Sequence, residues 1–299
     1  MRGILRKIIA GFCYVEADNM IYECKLRGGM RRHGTGIFAG DNVVFSPIDD
    51  SHGVIEKTEN RKNMLIRPPL ANIDRLVIVS SHNTPAPNSL IIDRLTAIAC
   101  SKDIEPIIVF NKCDLGDMSE WSSIYENAGL KTFTVSAMID STIESLKEYL
   151  LDFSGITAFT GNSGVGKSSI LNTVFPDLKL KTGDVSDKLG RGRHTTRQVE
   201  LYKLESGGYI ADTPGFSSLD LQRSEFLSKD ILPDCFPEFR KYLGECKFNS
   251  CSHTCEKGCA VISALNEGKI EMSRYENYKN LYSEVKDVKE WEIKKKNTP

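Results

Sequence analysis

Two short runs of residues could handle a nucleotide between them. Gly161-Asn162-Ser163-Gly164-Val165-Gly166-Lys167-Ser168 fits G-x-x-x-x-G-K-[ST], a loop pattern that cradles phosphates. Glycines there carry no Cβ, so successive N–H groups can point at phosphate oxygens, and a following helix adds its positive end. Lys167 would reach the β- and γ-phosphates, and Ser168 would place its hydroxyl on Mg²⁺. Asn111-Lys112-Cys113-Asp114 fits N-K-x-D. The Asp114 carboxylate accepts hydrogen bonds and donates none. It therefore suits the ring N–H and exocyclic amine of guanine, which adenine lacks at those positions. Ser136-Ala137 closes the next apolar run and could offer a backbone N–H to the guanine carbonyl oxygen.

A third run, Asp212-Thr213-Pro214-Gly215, fits D-x-x-G. Asp212 would hold Mg²⁺ through water, and the Gly215 N–H would sense the γ-phosphate. Phe216 follows, where many GTPases carry a water-orienting glutamine, and a phenyl ring cannot do that work. His194, in Gly190-Arg191-Gly192-Arg193-His194-Thr195-Thr196-Arg197, is the candidate to replace it, and one of Thr195 or Thr196 would close on Mg²⁺. The order of the runs is reversed. An ordinary small GTPase places its phosphate loop first and its base reader last, so this order reads as a circular permutation.

Outside the nucleotide residues, Cys246-x4-Cys251-x-His253-x5-Cys259 offers three thiolates and one imidazole. A closed four-ligand set suits structural zinc and leaves no position for catalytic water. Cys255 is a fifth candidate within the cluster. Four of the nine cysteines fall between 246 and 259 and no export signal precedes them, so metal in a reducing cytosol is a better account than disulfides.

The elements that must position these residues follow from periodicity. Gly3–Ile8, Phe12–Glu16, Met20–Leu26, Asn42–Ser46 and Gly53–Glu59 are β-rich runs separated by turn residues, which suggests a small OB-like barrel. The segment Arg27–Gly36, with Arg31, Arg32 and His33, would be a basic loop facing nucleic acid. Apolar runs 74–80, 107–110, 132–135 and 155–160 alternate with helical patterns 88–99, 119–128, 141–151 and 168–174. That is the signature of a parallel sheet covered on both faces. Strands are expected at 200–203 and 208–212, and a helix carries Val261, Ala264 and Leu265 and later Tyr275, Tyr278 and Leu281. The chain of 299 residues, 40% hydrophobic with net charge −1, thus divides into 1–68, 69–220 and 221–299. It has no membrane-spanning stretch.

Taken together, the permuted order (Asn111–Asp114, Ser136-Ala137, Gly161–Ser169, Gly190–Arg197, Asp212–Gly215), the preceding β barrel and the following cluster resemble the ribosome small-subunit-dependent GTPase family, RsgA. The resemblance covers essentially the whole chain and implies an OB fold, a permuted P-loop GTPase core and an α-rich zinc domain. It implies GTP as substrate, Mg²⁺ with it, and the small ribosomal subunit and its rRNA as partner late in assembly. The family's zinc spacing falls on Cys246, Cys251, His253 and Cys259 and leaves Cys255 spare. The expectation is a cytoplasmic, monomeric GTPase, slow alone and stimulated by the subunit. The alternative is an RNA-binding assembly factor in which GTP acts mainly as a binding switch.

Overall fold

The structure, a computed structural model, describes residues 1–28, 36–176, 199–212 and 225–288. The expectations on His194, Thr195, Thr196, Gly215, Arg31 and Arg32 lie outside the described residues, as does the side chain of Asp212.

Five strands open the chain: β1 (Arg2–Ile9), β2 (Phe12–Ala17), β3 (Met20–Leu26), β4 (Asn42–Pro47) and β5 (His52–Thr58). Two-residue turns join the first three. Ala10-Gly11 and Asp18-Asn19 both have positive φ throughout, the twist that matches a right-handed hairpin. β3 then pairs in parallel with β5, and β4 pairs with both β5 and β1. The order β1-β2-β3-β5-β4 therefore closes into the expected barrel. Leu5, Cys13, Val15, Cys24, Val43, Phe45 and Ile55 fill its interior, spaced so that alternate residues face inward.

A two-stranded ribbon, β6 (Met64–Leu65) with β7 (Leu70–Ala71), leads into the α/β core. There β8 (Ile73–Ser81), α1 (Ser89–Cys100), β9 (Glu105–Asn111), α2 (Ser119–Asn127), β10 (Lys131–Thr134) and α3 (Asp140–Leu151) are followed by β11 (Ile156–Gly161) and α4 (Lys167–Val174). β12 (Glu200–Lys203) and β13 (Tyr209–Asp212) complete the sheet. Its order is β10-β9-β8-β11-β13-β12, parallel except for β12. The central strands are buried along most of their length, which is why they read as unbroken Ile/Val runs rather than alternating ones. The barrel is not a separate bead. β1 pairs with β12, Lys7 opposite Glu200, so one eleven-stranded sheet runs through both. Salt bridges from Lys7 to Glu200 and from Lys203 to Glu16 fasten that seam.

Among the described residues the C-terminal part holds two α-helices, α5 (Ala260–Asn266) and α6 (Met272–Val285), where sequence periodicity suggests one. Gly268 explains the break. Its φ is +73°, and the Lys269 and Gly268 amides donate to Ala264 and Leu265 carbonyls, the capping pattern that ends a helix at a left-handed glycine. Phe236, Phe239 and Tyr278 pack against one another, Tyr278 edge to face with both, and the last two are 4.8 Å apart. They belong to the same apolar cluster as Leu95 and Ile98 of α1.

Candidate nucleotide and metal sites

β8, β9, β10, β11 and β13 run in one direction, so their carboxyl ends share one edge of the sheet. β9 and β10 lie on one side of β8, whereas β11 lies on the other. The crevice at that reversal is where open α/β sheets bind ligands. Asn111 ends β9, Ser136-Ala137 follows β10, the 161–168 loop follows β11, and Asp212 ends β13. Motifs far apart in sequence are therefore brought to one edge.

Contacts then join them. The buried Asn111 donates from Nδ2 to the Val165 carbonyl at 2.8 Å and accepts at Oδ1 from the Ala137 amide at 3.3 Å. One amide side chain thus links the N-K-x-D run, the Ser-Ala run and the phosphate loop. Lys112 lies in the left-handed region, with φ 64°, and its ammonium donates to the Gly164 carbonyl at 2.7 Å. Asp114 accepts at one oxygen from the Ser136 hydroxyl at 2.5 Å, while its residue stays exposed to solvent.

The phosphate loop needs its glycines. Gly166 has φ +93°, and a Cβ there would sit 2.3 Å from the Asn111 amide nitrogen. A Cβ on Gly161 would sit 2.3 Å from the Val79 carbonyl. Neither position has room for a side chain, so the loop keeps the glycines that a phosphate-binding loop requires. Lys167, the first residue of α4, donates to the Gly161 and Asn162 carbonyls at 2.7 and 2.9 Å. Burial pulls its ammonium down to about 8, because among the described residues no carboxylate pairs with it to offset the lost hydration. Such a cation is short of a counter-charge, which polyphosphate supplies. Asn162, Ser163 and Val165 complete the loop, and Ser168 and Ser169 occupy the first turn of α4.

The second site is compact. Cys246, Cys251, His253 and Cys259 place one ligand atom each within 4.8 Å of the others. Cys246 and Cys259 sulfurs are 3.9 Å apart, and His253 Nδ1 is 3.5 and 3.4 Å from them. A tetrahedral zinc bound through such atoms needs edges of about 3.8 Å for S–S and 3.5 Å for S–N. The donor set therefore fits the metal in chemistry and size. Without a cation, burial pushes the Cys251 thiol up to about 12, and a bound dication would reverse that. Cys255 is exposed, with the Thr254 hydroxyl 3.8 Å from its sulfur.

The loop that presents His253 is held from both sides. Glu256 accepts from the Ser252, Thr254 and Cys255 amides at 2.7, 3.1 and 3.1 Å. Tyr275 and Tyr278 of α6 donate their hydroxyls to the carbonyls of His253 and Thr254, and of Ser252. Sequence reasoning left these three supports out. Their one sequence signal is the Tyr275/Tyr278 spacing, which reads as an apolar helix face.

Comparison with known proteins agrees with this architecture. A family model described as RsgA N-terminal domain matches residues 2–55, and one described as RsgA GTPase matches residues 58–222. The chain is 42% identical to the small ribosomal subunit biogenesis GTPase RsgA of Streptococcus pneumoniae serotype 4, covering 97% of this chain and 96% of that one. It is 40% identical to the protein of that name from Moorella thermoacetica, covering 95% and 97%. Among solved structures it is similar to YjeQ from Thermotoga maritima, with a TM-score of 0.77, 34% identity, and 96% and 99% of the two chains covered. It is also similar to YloQ, described as a circularly permuted GTPase, with a TM-score of 0.77, 32% identity and 96% of each chain covered. A permuted core sheet, a closed five-stranded barrel and near-full-length relatives lead to one assignment: this chain belongs to the RsgA GTPase family.

Proposed function

We propose that this protein hydrolyses GTP in late maturation of the small ribosomal subunit, with turnover raised by docking there and with nucleotide state governing binding and release. The observation that carries the reading is Asn111, whose single amide links base-reading and phosphate-binding loops in a chain whose full-length relatives are named as small ribosomal subunit biogenesis GTPases. In this reading Asp114 selects guanine, the Ser136-Ala137 backbone meets the base carbonyl, and residues 161–168 wrap the phosphates. Cys113 fills the variable position of the base-reading loop. Ser168, Asp212 and one of Thr195 or Thr196 hold Mg²⁺, and Gly215 reports the γ-phosphate. Bound there, Mg²⁺ would neutralise charge on the phosphate oxygens.

His194 takes the water-positioning role that Phe216 cannot fill. We assign 1–68 to RNA contact, 69–220 to nucleotide and 221–299 to a zinc-stabilised unit in a monomeric cytoplasmic protein. Among the described residues no helix is long and apolar enough to cross a membrane. Arg27, with Arg31 and Arg32, supplies the basic surface for rRNA. Phe216 also favours a second reading, in which GTP acts mainly as a binding switch and hydrolysis is incidental.

Single-turnover GTP hydrolysis with and without saturating small subunits separates the two. Stimulation by the subunit is expected, and His194→Ala should keep GTP affinity and subunit binding yet lose about 10²-fold of the stimulated rate. A stimulated rate unchanged by His194→Ala removes that residue from catalysis, and no stimulation at all favours the binding switch.

Zinc has its own test. Cys259→Ser should lose bound zinc, measured by elemental analysis after gel filtration, and should destabilise residues after 220, whereas Cys255→Ser should retain the metal. A fully folded C-terminal region in strong chelator would rule out structural zinc.

A further inference from the structure

Asp114 stands on a turn tied at two points, by the Cys113 amide to the Val135 carbonyl at 3.2 Å and by the Ser136 hydroxyl to one carboxylate oxygen at 2.5 Å. Its 3₁₀ turn, Cys113–Leu115, has no buried residue, so packing of its own side chains cannot fix the carboxylate that selects the base. Further support comes from the loop between β8 and α1. His82 donates its amide to the Asn111 carbonyl at 3.1 Å, and the Thr84 carbonyl accepts from the Lys112 ammonium at 3.2 Å. That loop is itself tied. The Ser81 hydroxyl donates to the Asn83 and Pro85 carbonyls, and the Thr84 amide donates to Asn83 Oδ1 at 2.8 Å.

Gly116 identifies the contact that matters. Its φ of 164° is extended backbone open to any residue. A Cβ there, however, would lie 2.1, 2.5 and 2.8 Å from three atoms of the His82 ring. The demand for glycine at 116 is steric: the His82 imidazole, Nε2 nearest, leaves no room for a side chain there. The ring thereby covers the chain two residues after Asp114.

We propose that His82 is a positioning residue for guanine selection: its ring braces Gly116 and so fixes the turn that carries Asp114. It acts through that turn and touches neither base nor phosphate. Loosening the turn costs most for the hydrogen bond to the exocyclic amine, which only guanine offers. This inference rests on the reading that Asp114 faces the base.

The test is competition of GDP, IDP and ADP against a fluorescent GDP analogue on the full-length protein. Hypoxanthine lacks the exocyclic amine, so the GDP-to-IDP affinity ratio reports how well Asp114 is held. Global destabilisation would weaken both ligands alike and leave the ratio unchanged. His82→Ala should lower the ratio about five- to tenfold, a part of the roughly ten- to hundredfold that a whole hydrogen bond to a charged group carries. Gly116→Ala should push the ring aside and lower it similarly. The double variant should lose no more than either single one, because both changes remove one contact.

A wild-type ratio in His82→Ala, or multiplied losses in the double variant, overturns the proposal. Wild-type protein that binds ADP as tightly as GDP overturns the underlying site reading as well, and is distinguishable because it shows before any substitution.

Discussion

Asp114→Asn should cost GTP affinity about 10²-fold or more and let xanthosine triphosphate bind in its place. A site built around hydrogen bonds to a specific ring edge rejects a mismatched edge strongly, because its polar groups are left unpaired. The amide offers N–H donors where the carboxylate offered none, and xanthine presents a carbonyl where guanine presents its amine. The surroundings favour a clean exchange. The Ser136 hydroxyl donates to one Asp114 oxygen at 2.5 Å, and an asparagine oxygen can accept the same bond. That would leave the new amine facing the base. Asp114 is exposed, so the substitution buries nothing new and folding should be unaffected. Competition between the two triphosphates reads the switch. An Asp114→Asn variant that still prefers GTP over xanthosine triphosphate would show that selectivity resides in backbone contacts such as those at Ser136-Ala137.

The motifs are legible in the sequence because their chemistry restricts residue type at each step. Gly161, Gly164 and Gly166 all have positive φ, and two of them leave no room for a Cβ. The permutation is legible too, since motif order needs no coordinates, and so is the barrel, whose strands alternate around two-residue turns. Relations between distant segments are not. Nothing in Lys7 or Glu200 announces that β1 and β12 pair and carry one sheet across barrel and core. Gly116 reads in sequence as an ordinary turn glycine, and its dependence on His82 exists only in three dimensions. Gly268 is a signal for dividing the last helix, but the apolar spacing from Val261 to Leu281 continues across it and hides the break. Asn111 reads in sequence as part of the base-reading signature, whereas its side chain joins that loop to two others.

Arg274→Met should destabilise the folded protein by about 3–5 kcal/mol, the scale for removing one partner of a buried ion pair. Arg274, on α6, is 1% exposed. Its guanidinium donates to Asp93 of α1 at 2.6 Å and to both oxygens of Glu238 at 2.8 and 3.0 Å. Asn277 donates to the remaining Asp93 oxygen at 2.6 Å, and the Phe236 ring lies 4.8 Å from the guanidinium. Methionine would fill much of the volume but leave two carboxylates buried against apolar walls. The loss should depend on pH. Burial already holds the Asp93 carboxyl above its ordinary value, with Arg274 pulling it back, so the variant should raise it further. A folded value above the unfolded one means that the native state binds the extra proton. The deficit should therefore be smallest below about pH 4, near the ordinary aspartate value, and should grow as pH rises through the raised folded value. Adding Asp93→Asn to Arg274→Met should recover part of the loss at neutral pH, because the amide has no charge to leave stranded. Urea unfolding followed by circular dichroism at several pH values measures all three proteins. If Arg274→Met unfolds at the wild-type midpoint at pH 7, the desolvation cost of the network cancels its attraction, and the joint between α1 and α6 rests on Phe236, Phe239 and Tyr278 instead.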